Sequence, residues 1–580
     1  MAETLISPGV LARENDQSFI TQQPVQVGAA IVGPAVKGPV EVPTVVTSYS
    51  DYQNRFGTTF DSGSEVFSYF TSIAAYNYFN NGGNTLLVTR VVSGSLTAWD
   101  YAEAEVAASS SGTSFTLEAI DKGVIFNNTS SVTSGSLDSG SVDNVRWQVV
   151  ARNESSGTFS LVIRRGDDRN DNPIVLETWN NLSLDPNSDN FISRVIGDTK
   201  FNYNSTENYL EISGSFPNAS RYVRVKSVSK ATPNYLNNGG DPKSEYTGSI
   251  PALGSGSYNG SFSSGEGKNI SSYSAGGNYY GKAGTSSGAT TGVTQGLIGS
   301  DYDNMLDLLS NQDDYQFNVL LTPGLFDKVH ASQTTTAINN TQTRGDNIYV
   351  LDPVVYGSTI VNATGQGDAR NTSYAAMYWP WLQTFEPDSG KNVWVPASTM
   401  MGGVYAFNDS VSEPWFAPAG INRGGLTNVI RPERKLSQGN RDTLYEANIN
   451  PIASFPGTGT VVYGQKTLQK QASALDRVNV RRLLIALKSY IGQVAQTLVF
   501  EQNTAATRNN FLAAVNPYLE SVQQRQGLYA FKVVMDDSNN TPDVIDRNQL
   551  VGAIYLQPTR TAEFIYLDFN VLPTGATFPS

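Results

Sequence analysis

A chain of 580 residues with no cysteine excludes disulfide staples, thiolate nucleophiles and Cys-based metal sites, and its length accommodates several domains around a large core. Its 39 basic and 52 acidic residues give a net charge of −13, which repels nucleic acid unless a local basic patch intervenes. Charged residues make up only 16%, against a usual share of about 25%, and Gly, Ser, Thr, Asn and Tyr fill the gap, a composition suited to turn-rich β structure and broad uncharged contact surfaces.

The first residues carry no basic n-region and no apolar h-region, which predicts a chain without a cleaved leader. No apolar run approaches the ~18 residues of a membrane span, so a soluble protein with no membrane insertion is expected. Residues 1–23 read as an arm: polar, without helical period, with Val10, Phe19 and Ile20 among its few apolar residues. Such an arm can pair its backbone with a neighbouring molecule. Residues 24–95 read as the first part of a core. Val25–Gly33 and Thr44–Thr47 are strands, Ser64–Asn80 has near-helical spacing, Asn81-Gly82-Gly83 stops it, and Leu86–Val92 is a buried strand.

Residues 96–297 change texture to short β-like runs between Ser, Gly, Asn and Asp turns, which predicts an inserted β-rich outer domain. Its last part, 245–297, is dominated by Gly, Ser, Tyr, Asn and Thr and reads as an exposed segment.

Core texture returns over 298–560. Tyr302–Leu309 is predicted helical, Phe317–Leu321 a buried strand with Thr322-Pro323-Gly324 as its exit turn, and Asn347–Pro353 the next strand. Alternating strands and helices imply a mixed α/β (α+β) core layer. The strongest helix is predicted over 478–500, with Val480, Leu483, Leu487, Ile491 and Val494 on one face. A second covers 507–526 and breaks at Asn516-Pro517. Strands are predicted at Leu528–Asp536, Leu550–Leu556 and Glu563–Asn570. Residues 561–580 read as a second arm, with Phe564, Tyr566 and Phe569 as its apolar contacts.

The motifs that could carry chemistry have plainer readings. Gly284-Thr285-Ser286-Ser287-Gly288 matches a hydrolase elbow but lacks the flanking strand and helix, and His330 is the sole histidine. Gly457-Thr458-Gly459 precedes a strand rather than a phosphate-binding helix. Asp167–Asn172 resembles a calcium loop without its sixth-position Gly or twelfth-position Glu, so a hairpin turn is expected. Trp379, Trp381, Trp394 and Trp415 read as packing or interface residues. Arg477, Arg481 and Lys488 place positive charge along one side of the best helix, either as a solvated face or as a contact for an acidic protein surface. No catalytic, cofactor or metal site is expected.

Both ends of the chain resemble the contractile-phage tail sheath family, of the T-even-like myophage type. The motifs are Ser7-Pro8-Gly9-Val10, Gly33–Val40 and Phe79–Gly83 at the start. In the second half they are Tyr378-Trp379-Pro380-Trp381, Trp415–Gly420, Phe455–Gly459, Phe500-Glu501-Gln502-Asn503 and Pro558–Phe564. The resemblance implies a non-enzymatic virion subunit, assembled in the host cytoplasm into stacked hexameric rings that form a helical polymer. Its implied partners are the tail tube, baseplate and tail terminator, with no nucleic acid. It also implies contraction that drives the tube through the host envelope, arms that add strands to neighbours, and the Arg477–Lys488 face as a tube contact. The competing readings are the sheath of a phage-like injection device, a surface adhesin or glycan-binding protein, and a hydrolase using Ser286 and His330.

Overall fold

The computed structural model describes residues 27–62, 65–92, 101–122, 132–133, 135–137, 140–258, 293–295 and 297–566. Eight strands form the central sheet: β1 (Val27–Gly33), β2 (Thr44–Val46), β3 (Leu86–Arg90), β4 (Phe317–Phe326), β5 (Ile348–Asp352), β6 (Ala375–Trp379), β7 (Ile449–Phe455) and β8 (Gly459–Val462). Their order is β2-β3-β1-β4-β5-β6-β7-β8. The pairs from β3 through β7 are parallel, and β2 and β8 close the two edges antiparallel. Parallel strands are covered on both faces, which explains why β3, β5 and β6 are buried along their whole length.

Helices α1 (Phe70–Asn80), α2 (Ala331–Arg344), α3 (Ile360–Ala369) and α4 (Ser398–Val411) accompany this sheet. The predicted helix from Ser64 starts late, because Thr59–Ser62 and Glu65–Ser68 pair antiparallel and set Phe60 opposite Phe67. Their ring centroids lie 6.0 Å apart, and such a cross-strand aromatic pair outweighs the short helical spacing of Val66 and Phe67. Gly82, at φ 92°, ends α1 as expected. Helix α4 presses close on α1: a Cβ on Gly403 would lie 2.7 Å from the Asn77 carbonyl. The predicted exit turn at Thr322-Pro323-Gly324 instead lies inside β4 as a bulge, with Gly324 at φ 105°.

The inserted segment is β-rich, as expected. Tyr101–Ala107, Thr113–Lys122 and Val223–Val228 form one sheet. Val145–Asn153, Thr158–Arg165, Val175–Ser183 and Gly254–Gly256 form another, and the two share an apolar cluster that includes Phe115, Leu117, Trp147 and Leu161.

A third apolar cluster sits near the C-terminus, under α5 (Val478–Gln496), α6 (Ala505–Gln524) and the antiparallel pair Leu528–Val534 and Ala553–Pro558. Helix α6 runs through Asn516-Pro517 without the predicted break. Pro517 and Ala513 both face solvent, so the carbonyl that loses its partner stays hydrated. Residues 563–566 of the predicted strand at Glu563–Asn570 form no strand, and none pairs with them among the described residues; the rest of it lies outside those residues.

The helix and sheet layers meet at Asp352, at the end of β5. Ala397 offers α4 no side-chain cap. The buried Asp352 carboxylate caps it instead, accepting from the Ser398 N–H at 2.9 Å and its hydroxyl at 2.5 Å. Burial pushes Asp352 up to about 7. It also pushes Asp121 up to about 6, although Arg90 and the Gly38 N–H act the other way. Both groups bind protons more tightly folded than unfolded. Their contribution to stability is therefore largest below the ordinary carboxylate range and declines as pH rises toward 7. Asp352→Asn, neutral at both pH values, is expected to gain melting temperature relative to the wild type between pH 5 and pH 8, which thermal unfolding at the two pH values will measure.

Candidate functional site

An open, largely parallel sheet takes ligands where its strand order reverses, outside the strands' C-terminal ends. Here that point lies between β1, whose other neighbour is β3, and β4. It is filled by the protein itself. Buried Gln295 accepts from the Phe70 N–H at 2.8 Å, at the first turn of α1, and donates to the Pro323 carbonyl at 3.1 Å. Its amide thus takes the helix N-terminus that would otherwise receive an anion. A Cβ on Gly33, at the end of β1, would lie 2.4 Å from the Thr71 hydroxyl.

The sequence motifs take structural roles. Buried His330 accepts from the Phe326 N–H through Nδ1 at 3.1 Å, while Gly284–Gly288 with Ser286 lies outside the described residues. Gly457 and Gly459 make the β7–β8 hairpin with φ of 79° and 83°. The calcium-like run connects two paired strands, and its Asp168 is committed to cations already present. It accepts from Arg164 at 2.6 and 2.9 Å, from Arg146 at 3.3 Å and from the Ile174 N–H at 2.9 Å. Trp379, Trp381 and Trp415 are buried and Trp394 is half-buried. Trp381 donates to the Val354 carbonyl and Trp415 to that of Arg525, both at 3.0 Å.

The predicted positive face of α5 is largely satisfied internally. Arg481 is buried with its guanidinium 3.9 Å from the Tyr374 ring centroid and its Nε donating to the Ser373 carbonyl at 3.2 Å. Burial lowers its pKa. Arg477, just before α5, pairs with Glu563 at 2.7 Å and with Asp476 at 3.2 Å. The side of the helix that carries them packs against neighbouring segments rather than facing solvent. Of the three, Lys488 keeps an exposed ammonium, 3.4 Å from the Tyr374 hydroxyl.

The exposed apolar surface concentrates at the C-terminal end of the described chain. Leu528–Val534 and Ala553–Pro558 pair only with each other, so each strand has an open side among the described residues. Tyr529 and Tyr555 stand exposed on them. The chain then leaves along Thr559, whose N–H reaches the Gly527 carbonyl at 3.2 Å. Glu563 anchors it, accepting from Tyr445 at 2.6 Å, Arg477 at 2.7 Å and Gln465 at 3.0 Å. Beyond the anchor, Phe564 is 68% exposed and Tyr566 89%. The sequence pointed to these two aromatics but not to Glu563 as their anchor, whose partners lie on distant segments. Val10, Phe19, Ile20 and Phe569 lie outside the described residues.

Residues 299–468 match the phage tail sheath protein central domain, and residues 470–572 the phage tail sheath C-terminal domain. The tail sheath protein of Vibrio phage KVP40 is 41% identical over 208 residues, covering 36% of this chain and 31% of that protein. The tail sheath protein of Enterobacteria phage T4 is 40% identical over 208 residues, 36% of this chain and 32% of that one. The chain thus spans about a third of the length of the curated relatives it matches. The crystal structure of the sheath tail protein from Listeria innocua is alike in fold, with a TM-score of 0.52 at 9% identity, covering 92% of this chain and 95% of that one.

Removing the tail anchor takes an acceptor from three donors, of which Arg477 keeps Asp476 and Gln465 keeps Thr561. Glu563→Ala is expected to cost about 1–3 kcal/mol if those donors stay buried, and to speed proteolytic cutting near Phe564 at least tenfold, as timed digestion followed by mass spectrometry will show.

Proposed function

We infer that this chain is a phage tail sheath protein, a structural subunit of a contractile tail built to polymerise rather than to catalyse. The observation that carries this reading is the anchored tail. Glu563 fixes the chain, and the next residues point aromatic side chains into solvent beside a two-stranded sheet with open sides. Open strand edges and projecting apolar segments are liabilities for a solitary protein and connectors for a polymer.

The polymer is a helical cylinder of stacked hexameric rings around a tail tube, begun on a baseplate, closed by a terminator, and carried in the virion after assembly in the host cytoplasm. Neighbouring subunits supply strands from residues 1–23 and 561–580 to the open sides of the hairpin. Val10, Phe19, Ile20, Phe564, Tyr566 and Phe569 provide the apolar contacts. Burying one such side chain is worth about 1.5–3 kcal/mol, so a few per junction, repeated around each ring, store enough energy to drive contraction by rigid-body repacking. Lys488, with its exposed ammonium, carries the proposed contact with an acidic tube surface.

Two outcomes test this. The combined variant Phe564→Ser, Tyr566→Ser is expected to melt within about 2 °C of the wild type, since both side chains are exposed, yet to form no striated tubes by electron microscopy of the concentrated protein. Tubes of normal length from that variant overturn the arm assignment. Lys488→Glu is expected to leave self-assembly intact while weakening recovery of the sheath on isolated tail tubes at least fivefold by co-sedimentation.

A further inference from the structure

The loop between α5 and α6 displays an aromatic residue in an unfavourable backbone state. Phe500 is 100% exposed and sits at φ 72°. A bulky residue there costs roughly 1–3 kcal/mol and persists only when its surroundings impose it. They do: Glu501 N–H reaches the Leu498 carbonyl at 3.1 Å, Asn503 donates to the Gln549 carbonyl at 2.8 Å, and Arg508 donates to Asn503 at 3.2 Å. Val499 and Glu501 flank Phe500 and are also exposed. The tip is thus a pinned apolar knob with a carboxylate on its rim.

A hollow of 270 Å³ lies along α5 from Arg482 to Gln493, lined by Pro414, Arg482, Ile485, Ala486, Tyr490 and Tyr518 among others. Tyr490 and Tyr518 stack with ring centroids 3.9 Å apart. The hollow has room for one aromatic side chain, since a cavity of ~150 Å³ accepts benzene. Arg482 is buried and gives one nitrogen to Asp409 at 2.5 Å, and its Nη1 has no hydrogen-bond partner among the described residues. The chain leaves its own hollow open, since Phe500 is 100% exposed.

We propose that the Val499-Phe500-Glu501 tip of one subunit docks into the α5–α6 hollow of a second copy, Phe500 filling it and Glu501 meeting the positive field of Arg482. This rests on the polymer reading and specifies one of its contacts. The two patches differ, so the contact is heterologous: it leaves a free knob and a free hollow at either end and propagates instead of closing on a pair.

The absence of native cysteine makes the test direct. Full-length chains carrying Val499→Cys and chains carrying Gln493→Cys, at the hollow's rim, are mixed, concentrated and oxidised. Each chain then holds one thiol, and any disulfide joins two subunits whose Cα atoms come within about 7 Å. Covalent dimers are expected in the mixture and not in either variant alone, and Phe500→Ser added to the Val499→Cys chain should cut their yield at least tenfold. Striated tubes from the mixture without dimers overturn this docking and leave the sheath reading standing. Linkage of Val499→Cys to a tube subunit in intact tails, with no sheath dimers, also overturns it. Neither tubes nor dimers, from wild type or mixture, overturns both.

Discussion

The pairing of β1 with β4 is the constraint on which the rest of the molecule depends. Val27 lies opposite Phe317 and Ala30 opposite Leu320, so strands from opposite sides of the long insertion share one ladder. The ordering cost of bringing such distant segments together grows only slowly with loop length, and a buried parallel pair recovers it through apolar burial on both faces. Without this ladder β3, β1 and α1 would have no sheet to complete. With it, the insertion is a side excursion that begins and ends on one framework.

Polar contacts tie that excursion to the framework. The Gly38 N–H donates to Asp121 at 2.9 Å, and Arg90, at the end of β3, donates to the Gly38 carbonyl at 2.5 Å. Lys37 pairs with Asp143 at 3.0 Å. Such charged contacts gain less free energy than an apolar seam of similar size, because burial opposes the charges it brings together. What they add is register: one carboxylate, one guanidinium and one backbone turn meet in a single arrangement. The insertion keeps its own apolar cluster, and its Tyr203 and Leu210 also pack against the framework's core.

Much of the framework was legible in the sequence because strands buried on both faces read as continuous apolar runs, as at Leu86–Val92 and Asn347–Pro353. The errors have local causes. Val66 and Phe67 fit a helical period and a strand equally well, and the contact that decides between them is the cross-strand partner Phe60. Pro517 reads as a breaker unless the exposure of its turn is known. Arg481 reads as a surface cation because nothing near it in sequence announces Tyr374, more than a hundred residues earlier. The aromatics after Glu563 were legible as an alternating apolar run. Its anchor was not, since Tyr445, Gln465 and Arg477 converge on it from separate segments.

The strengths of these contacts bear on how an assembling subunit stays soluble. A single exposed aromatic contributes about 1.5–3 kcal/mol when buried, and association of two free molecules loses several kcal/mol of translational and rotational freedom. One such contact therefore leaves two subunits apart at ordinary concentrations. When one subunit is held on a template, each further contact forms at a raised effective concentration, and modest terms compound into a lasting lattice. Phe564 and Tyr566 are exposed on one segment and Phe500 on another, and Glu563 and Asn503 hold these segments in position before any neighbour arrives. Pre-ordering those segments lowers the cost of each junction, while spreading them over two segments keeps either from acting alone, so growth is templated at ordinary concentrations and spontaneous only in concentrated protein.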